Sequence, residues 1–398
     1  MRSIKWIIIA LVIIAIPVVQ FVRPLPHLTV QAEGATVQTL PGSAPHLDWP
    51  QEGQAALTAV GIGDMGQSGA QTPTPIASVT KVMTAYLVLK KHPLGVGQDG
   101  PTITVTNEDY KTYLDDKSKG QSVLAVKAGE KLTERQALEG LMLPSGNNVA
   151  TLLANWSDGS VDKFVQDMNS TAKAMGMTHT TYADASGYLP ASASTAVDQV
   201  KVFSAAMQMD AFKTIVGEAQ AQLPVAGLVY NVDARLGHGG IIGGKTGSTS
   251  QAGGCFVFAS QKQVGGKNVL LVGAVLGQTK GPSELMTALD EGVKLSQEAQ
   301  ATVRQVHVVT ADQPVATVQA PWASAQVLHA GKAVDMIGWP GMQVHKVVAP
   351  AKNVKSHVNA GETVATLTVS VGNQKQTIPL KTVTAISGPS YTWRLKRL

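Results

Sequence analysis

Residues 74–93 read TPIASVTKVMTAYLVLKKHP. The run Val82, Met83, Ala85, Tyr86, Leu87, Val88 and Leu89 is apolar on every side, so as a helix it must be wrapped by protein all round, as a central core helix is. Thr74 followed by Pro75 suits the start of that helix, because proline's fixed φ fits the first turn and its missing N–H loses no partner there; Pro93 stops it. Ser78 then falls near the positive N-terminal end, and Lys81, at i+3, projects from the same face. A hydroxyl and an amine held together there form a candidate nucleophile and base. Ser-x-x-Lys is a weak pattern by itself, and Ser170 to Lys173 repeats it. At this point a catalytic pair and a chance spacing both stand.

The 398 residues, 44% hydrophobic and 15% charged, suffice for a large core and more than one domain, which excludes a disordered or fibrous chain. A net charge of +5 comes from scattered basic residues, a pattern of solubility and mild affinity for anionic surfaces, not of nucleic-acid binding. The single Cys255 cannot form an intrachain disulfide, and the nine histidines show no metal-ligand spacing, so neither metal nor cofactor is expected.

Arg2 and Lys5 precede an uncharged run from Trp6 to Val22, interrupted only by Pro17 and Gln20. It exceeds the apolar core of a cleaved signal and lacks an Ala-x-Ala site directly after it, so residues 1–23 read as an uncleaved N-terminal signal anchor. The positive residues stay on the cytoplasmic side and the body lies outside the cell membrane; a cleaved secretory signal is the alternative. Residues 24–50, with five prolines, read as a semi-extended linker.

Along the body, AALTAVGI (55–62) suits a strand, and Thr133 with Gln136 forms a capping box for the helix ERQALEGLML, which Pro144 stops. Ser145, Gly146 and Asn147 sit at a turn before the next helical run, VATLLANW; either a plain cap or a cleft-facing turn fits. A helix over 160–175 closes at Gly176, and another opens at Thr195 with Asp198 placed for a Thr-x-x-Asp box. GGIIGGKTGSTSQAGG (239–254) is glycine-rich enough for another chain to approach its backbone. Apolar runs 255–260 and 268–276 flank Val264 to Lys267 as an antiparallel hairpin, with Cys255 a buried small hydrophobe. Ser283 caps a last helix. Beyond about Val303, short alternating strands split by Gly, Pro and Asn mark a separate β-rich domain, residues 303–398.

Ser78-Val-Thr-Lys81, Ser145-Gly-Asn147 and Lys245-Thr246-Gly247, in this order and each at a structural boundary, are together far more specific than any one. With PIASVTKVMTAYLV, AVKAGEKLTERQALEGLMLPSGNN, DASGYLPASASTAVD and GGKTGSTSQAGGCFV around them, the sequence resembles the penicillin-recognising serine enzymes, most closely the low-molecular-mass D-alanyl-D-alanine carboxypeptidases. The likeness covers roughly 55–300. It implies an α/β (α+β) fold, in which residues 51–302 form a β-lactamase/transpeptidase-like domain: an antiparallel sheet with helices on both faces plus an all-helical lobe. It also implies a small C-terminal β-sandwich.

The resemblance further implies that Ser78 attacks the D-Ala-D-Ala carbonyl while Lys81 takes its proton. An ordinary lysine has a pKa of ~10.4, so neutrality near pH 7 requires about 4 kcal/mol from burial and a second cation. Lys245 would be that cation. Ser145 would relay the proton to the leaving amine, Asn147 would hold the substrate amide, and Lys245 and Thr246 would bind the terminal carboxylate. Gly247 leaves room for substrate, and the Ser78 and Ser248 N–H groups would form the oxyanion hole. The implied function is removal of the terminal D-alanine from peptidoglycan stem peptides, with β-lactams as covalent inhibitors. Two departures stand out. Asn148 occupies a position where relatives often carry aspartate, and YNVDARLGHGGIIGG before Lys245 departs from the usual wording, with His238 either contacting substrate or simply exposed. The alternatives are a D,D-endopeptidase or transpeptidase using the same Ser78 chemistry, a serine β-lactamase, and a non-catalytic wall-binding protein. The β-lactamase needs an acid for deacylation where Asp184 is the nearest, and Asp184 reads better as a loop-fixing residue.

Overall fold

The computed structural model describes residues 2–352 and 354–397, without the side chains of residues 2, 3, 5, 8–10 and 12–14. The chain divides into two compact units, His46–Val303 and the combination of Met1–Pro45 with Arg304–Leu398.

The first unit is mixed α/β. Its sheet holds β1 (Gln54–Ala59), β2 (Gly63–Ser68), β3 (Ile241–Thr249), β4 (Gly253–Val264) and β5 (Lys267–Gln278), in the order β3-β4-β5-β1-β2. Every neighbouring pair is antiparallel. The β4–β5 hairpin turns at Gly265 and Gly266, both at positive φ, as a two-residue hairpin turn requires. Strand alternation divides β4 between two cores. Cys255, Val257 and Ala259 join the large cluster beneath the helices, whereas Phe256 and Phe258 face the other side, where a methyl on Gly292 would sit 2.6 Å from Phe256.

That Gly292 lies in the last of eight helices: α1 (Lys81–Lys91), α2 (Asn107–Ser118), α3 (Glu134–Met142), α4 (Asn147–Asp158), α5 (Val161–Ala174), α6 (Ala196–Ala206), α7 (Asp210–Val216) and α8 (Glu284–Thr302). α8 packs on β4 and β5, and α6 on β5 and β1. α1 is buried from Lys81 to Leu89 except for a half-buried Tyr86, with α4, α5, α6 and α7 packed around it. Thr133 and Gln136 form the reciprocal capping box at α3. At α6 only half of the anticipated box forms: Thr195 Oγ1 accepts from the Asp198 N–H, while the Asp198 carboxylate turns to His179, Thr180 and Lys201.

The start of the central helix differs from the sequence reading. Thr74 and Pro75 pair with Ser194 and Ala193 as a short strand, and only at Ala77–Thr80 does a 3-10 turn begin that leads into α1 at Lys81. Ala77, the first residue of that turn, sits at φ +45, a left-handed conformation that the first turn of an α-helix does not accommodate. Ser78 and Lys81 keep their spacing, but on a 3-10 turn.

The second unit is β-rich. Its seven-stranded antiparallel sheet runs in the order 29–32, 314–319, 326–330, 374–382, 363–371, 343–350, 37–39, and a two-stranded ribbon joins 304–309 to 334–338. Residues read as a linker therefore supply both edge strands. The prolines flank these strands without interrupting them, and Leu28, Val30 and Leu40 pack into the core of this unit. The expected anchor coincides with a helix, Arg2–Val22; among the described residues no helix is long and apolar enough to cross a membrane.

A methyl at Gly254 would lie 1.9 Å from the Glu284 backbone oxygen, so β4 meets the start of α8 with no room for a side chain. Gly254→Ala is expected to lower the unfolding free energy by about 2 kcal/mol or more. Gly176→Ala, at positive φ in open space, should cost only about 1 kcal/mol. Equal losses in denaturant titrations would contradict this packing.

Candidate active site

The turn that carries Ser78 is held from two sides. On one side β3 lies against it: a methyl on Gly247 would sit 2.9 Å from Ile76 O and 3.0 Å from Ser78 N. On the other, Gly187, at φ +81, leaves so little space that a methyl would come within 1.8 Å of Ala77 O. Asp184 shapes that second wall. Its Oδ1 accepts from the Gly187 N–H (3.0 Å) and its Oδ2 from the Ser186 hydroxyl (2.7 Å) and the Tyr188 N–H (2.9 Å). The anticipated loop-fixing role thus has a geometry.

Lys81 is fully buried at the start of α1. Its Nζ lies 2.7 Å from Ser78 Oγ, 2.6 Å from Asn147 Oδ1 and 3.1 Å from Ser186 O. A neutral amine has two N–H groups and one lone pair. Two of these neighbours, the Asn147 and Ser186 oxygens, can only accept, so they take the N–H groups and the lone pair is left for the Ser78 hydroxyl proton. Burial drives the Lys81 pKa well below the ordinary lysine value, and the charge of Lys245 pushes the same way; Asp184 and Asp116 oppose it.

Ser145 and Asn147 occupy the turn between α3 and α4. Ser145 has φ +66, and its buried Oγ has no hydrogen-bond partner in the structure. A buried hydroxyl left unpaired is costly, so an unsatisfied one at a cleft is a binding feature. Asn147 Nδ2 donates to Gln121 Oε1 at 2.6 Å. Asn148 Oδ1 accepts from the Leu124 N–H (2.9 Å) and its Nδ2 donates to Leu124 O (3.0 Å). Both halves of its amide are used, which a carboxylate could not reproduce.

Lys245, on β3, is buried, donates to Thr246 O (3.1 Å), and has its pKa lowered to about 7 by burial, against the pull of Asp233. Asp233 is buried with Oδ2 unpaired, and burial raises its pKa while Lys245 lowers it. Thr246 is buried and Ser248 exposed at the strand's end. The structure therefore joins Ser78, Lys81 and Asn147 by direct contact, sets Gly247 on the Ser78 turn and brings the Lys245 charge within range of Lys81. His238 is exposed, as are Ser170 and Lys173 of the repeated pattern. Sequence reasoning did not find Gln121, Asp116, Asp233 or the Ser186 carbonyl, because nothing local marks them. Among the described residues no cluster of three or more His, Cys, Asp or Glu side chains is placed to hold a metal ion.

The chain is similar to known proteins. The D-alanyl-D-alanine carboxypeptidase family matches residues 65–279. The D-alanyl-D-alanine carboxypeptidase of Streptomyces sp. strain K15 is 33% identical over 232 residues, 54% of this chain and 76% of that protein. The crystal structure of a D-alanyl-D-alanine carboxypeptidase from Mycobacterium tuberculosis H37Rv superposes with a TM-score of 0.55 at 31% identity, over 66% of this chain and 96% of that one. At 19% identity, penicillin binding protein 5 of Haemophilus influenzae shares the fold over 88% of this chain and 99% of its own, with a TM-score of 0.59.

Asn148→Asp replaces the donor to Leu124 O with a second acceptor and is expected to cost about 1–3 kcal/mol of stability. Unfolding that matches the parent protein would show that the bond to Leu124 O is dispensable.

Proposed function

The chain belongs to the D-alanyl-D-alanine carboxypeptidase family, and from that premise we propose how its own residues remove the terminal D-alanine of a peptidoglycan stem peptide. It is a serine peptidase whose substrate is the D-Ala-D-Ala end, and β-lactams bind the same site. The observation that carries the assignment of roles is the 2.7 Å contact between Ser78 Oγ and the fully buried Lys81 amine.

Ser78 Oγ attacks the carbonyl carbon of the penultimate D-alanine as its proton passes to the Lys81 lone pair. The carbonyl oxygen becomes an anion, which the backbone N–H groups of Ser78 and Ser248 stabilise. The protonated Lys81 then returns the proton through the Ser145 hydroxyl to the departing amine, a relay for which that hydroxyl is free, since it has no hydrogen-bond partner in the structure. D-alanine leaves, and water, activated by the neutral Lys81, hydrolyses the ester on Ser78. The spare N–H of Asn147 holds the substrate amide, and Lys245 with Thr246 receives the terminal carboxylate. Gly247 gives the substrate its close approach. A β-lactam reacts in the same way, but its amine stays tethered, and no added carboxylate drives release.

The N-terminal run from Trp6 to Val22, preceded by Arg2 and Lys5, supports a single-pass membrane anchor with the catalytic unit on the extracytoplasmic side. The antiparallel sheet and ribbon of the β-rich unit, which share one core, support a small β-sandwich. Cell fractionation tests the anchor: the full chain should sediment with membranes, and a soluble full chain would overturn it.

Incubation with a pentapeptide-ended wall fragment should release D-alanine, and Ser78→Ala should abolish both this and labelling by fluorescent penicillin. Cleavage at the cross-link without free D-alanine would assign the protein as an endopeptidase. The site also has a predictable pH dependence. Lys245 has a lowered pKa, so its charge is present below about 7 and lost as pH rises through that value. Acylation by penicillin should therefore decline on the alkaline side, while acylation by the carboxyl methyl ester, which needs no cation, should not. Identical alkaline limbs for acid and ester would remove Lys245 from carboxylate binding.

A further inference from the structure

The helix α2 ends in a Schellman turn: Gly120, at φ +69, donates its N–H to Lys117 O, and the Gln121 N–H donates to Asp116 O. This turn folds the Gln121 side chain back beside that of Asp116, and Gln121 Nε2 donates to Asp116 Oδ1 at 3.0 Å. Gln121 Oε1 in turn accepts from Asn147 Nδ2 at 2.6 Å, and Asn147 Oδ1 accepts from Lys81 Nζ at 2.6 Å. Four side chains from three segments make one continuous chain of hydrogen bonds ending on the catalytic amine.

We propose that Gln121, backed by Asp116, is a positioning residue that fixes which way the Asn147 amide faces and thereby keeps the Lys81 lone pair on Ser78. The polarity follows from donor chemistry. Asp116 Oδ1 accepts from Gln121 Nε2, so Gln121 has its NH2 on Asp116 and its oxygen left for Asn147. Asn147 must then turn its NH2 to Gln121 and its oxygen to Lys81. Lys81 is left giving one N–H to Asn147 and the other to Ser186 O, with its lone pair free for the Ser78 proton. A flipped Asn147 would present NH2 to Lys81, occupy the lone pair as an acceptor and leave Ser78 facing an N–H. The hydroxyl would then have no base.

This inference rests on Lys81 as the base of the acylation step, and the experiment separates the two. Acylation by fluorescent penicillin is followed at saturating and sub-saturating concentrations in the full-length protein, in variants whose thermal midpoints match the parent. Gln121→Ala is expected to lower the limiting acylation rate roughly tenfold or more and to weaken the non-covalent dissociation constant by a smaller factor, through the Asn147 N–H that faces the substrate. Asp116→Asn keeps an acceptor but admits the reversed polarity, so a smaller loss of roughly threefold is expected; Asp115→Asn, on the exposed face, should stay within about twofold. In an Asn147→Ala background Gln121→Ala should add less than about twofold, because the residue it positions is gone. A parent protein that is acylated alongside an equally fast Gln121→Ala overturns the positioning role alone. So does a loss confined to the dissociation constant, or one that persists undiminished in the Asn147→Ala background. A parent protein that is never acylated overturns the underlying assignment instead.

Discussion

An amine stripped of water is the constraint on which the catalytic unit depends. Each unit by which a lysine pKa falls corresponds to about 1.4 kcal/mol of preference for the neutral form, and at Lys81 that preference is generated by the surrounding helices. α1 is wrapped by α4, α5, α6 and α7, so the amine at its start has no solvent to share its charge. A second buried lysine, Lys245, adds repulsion without a direct contact. The same burial that would make a charged lysine intolerable leaves a neutral one nearly free, provided its N–H groups find acceptors. Asn147 Oδ1 and Ser186 O are those acceptors, carried by the turn at 145–147 and the loop at 184–188. Asp184 and Asn148, neither of which touches the Ser78 pair, bond to backbone beside those acceptors.

Much of this was readable in the chain. The apolar run 82–89 marks a central helix because no face of it is polar. Thr133 with Gln136 and the Gly265-Gly266 turn declare themselves because their chemistry is local and needs only a few residues. The three motifs were legible as a set because each sits where an element begins or ends.

What was not legible depends on distant contacts. Pro75 reads as a helix opener, yet the left-handed Ala77 after it postpones the helix, a conformation found where the chain runs closely past Gly187 and invisible in composition. Residues 29–32 and 37–39 are too short to advertise themselves as strands, and Thr29 pairs with Gln319, 290 positions away. Gln121 looks like any polar residue after a helix; its importance appears only when Asn147 is brought to 2.6 Å. Asp233 is similar, an ordinary loop aspartate until β3 buries it beside Gly244 and within the field of Lys245.

The protonation state of Lys81 is the central claim, and it is directly observable. Proteins labelled with carbon-13 at the lysine side chain, compared with and without Lys81→Met to identify the signal, report that state by NMR across a pH titration. The account predicts that the Lys81 signal changes from the charged to the neutral form well below the ordinary lysine range. A Lys81 signal that stays charged and titrates at the ordinary 10.5 would contradict it.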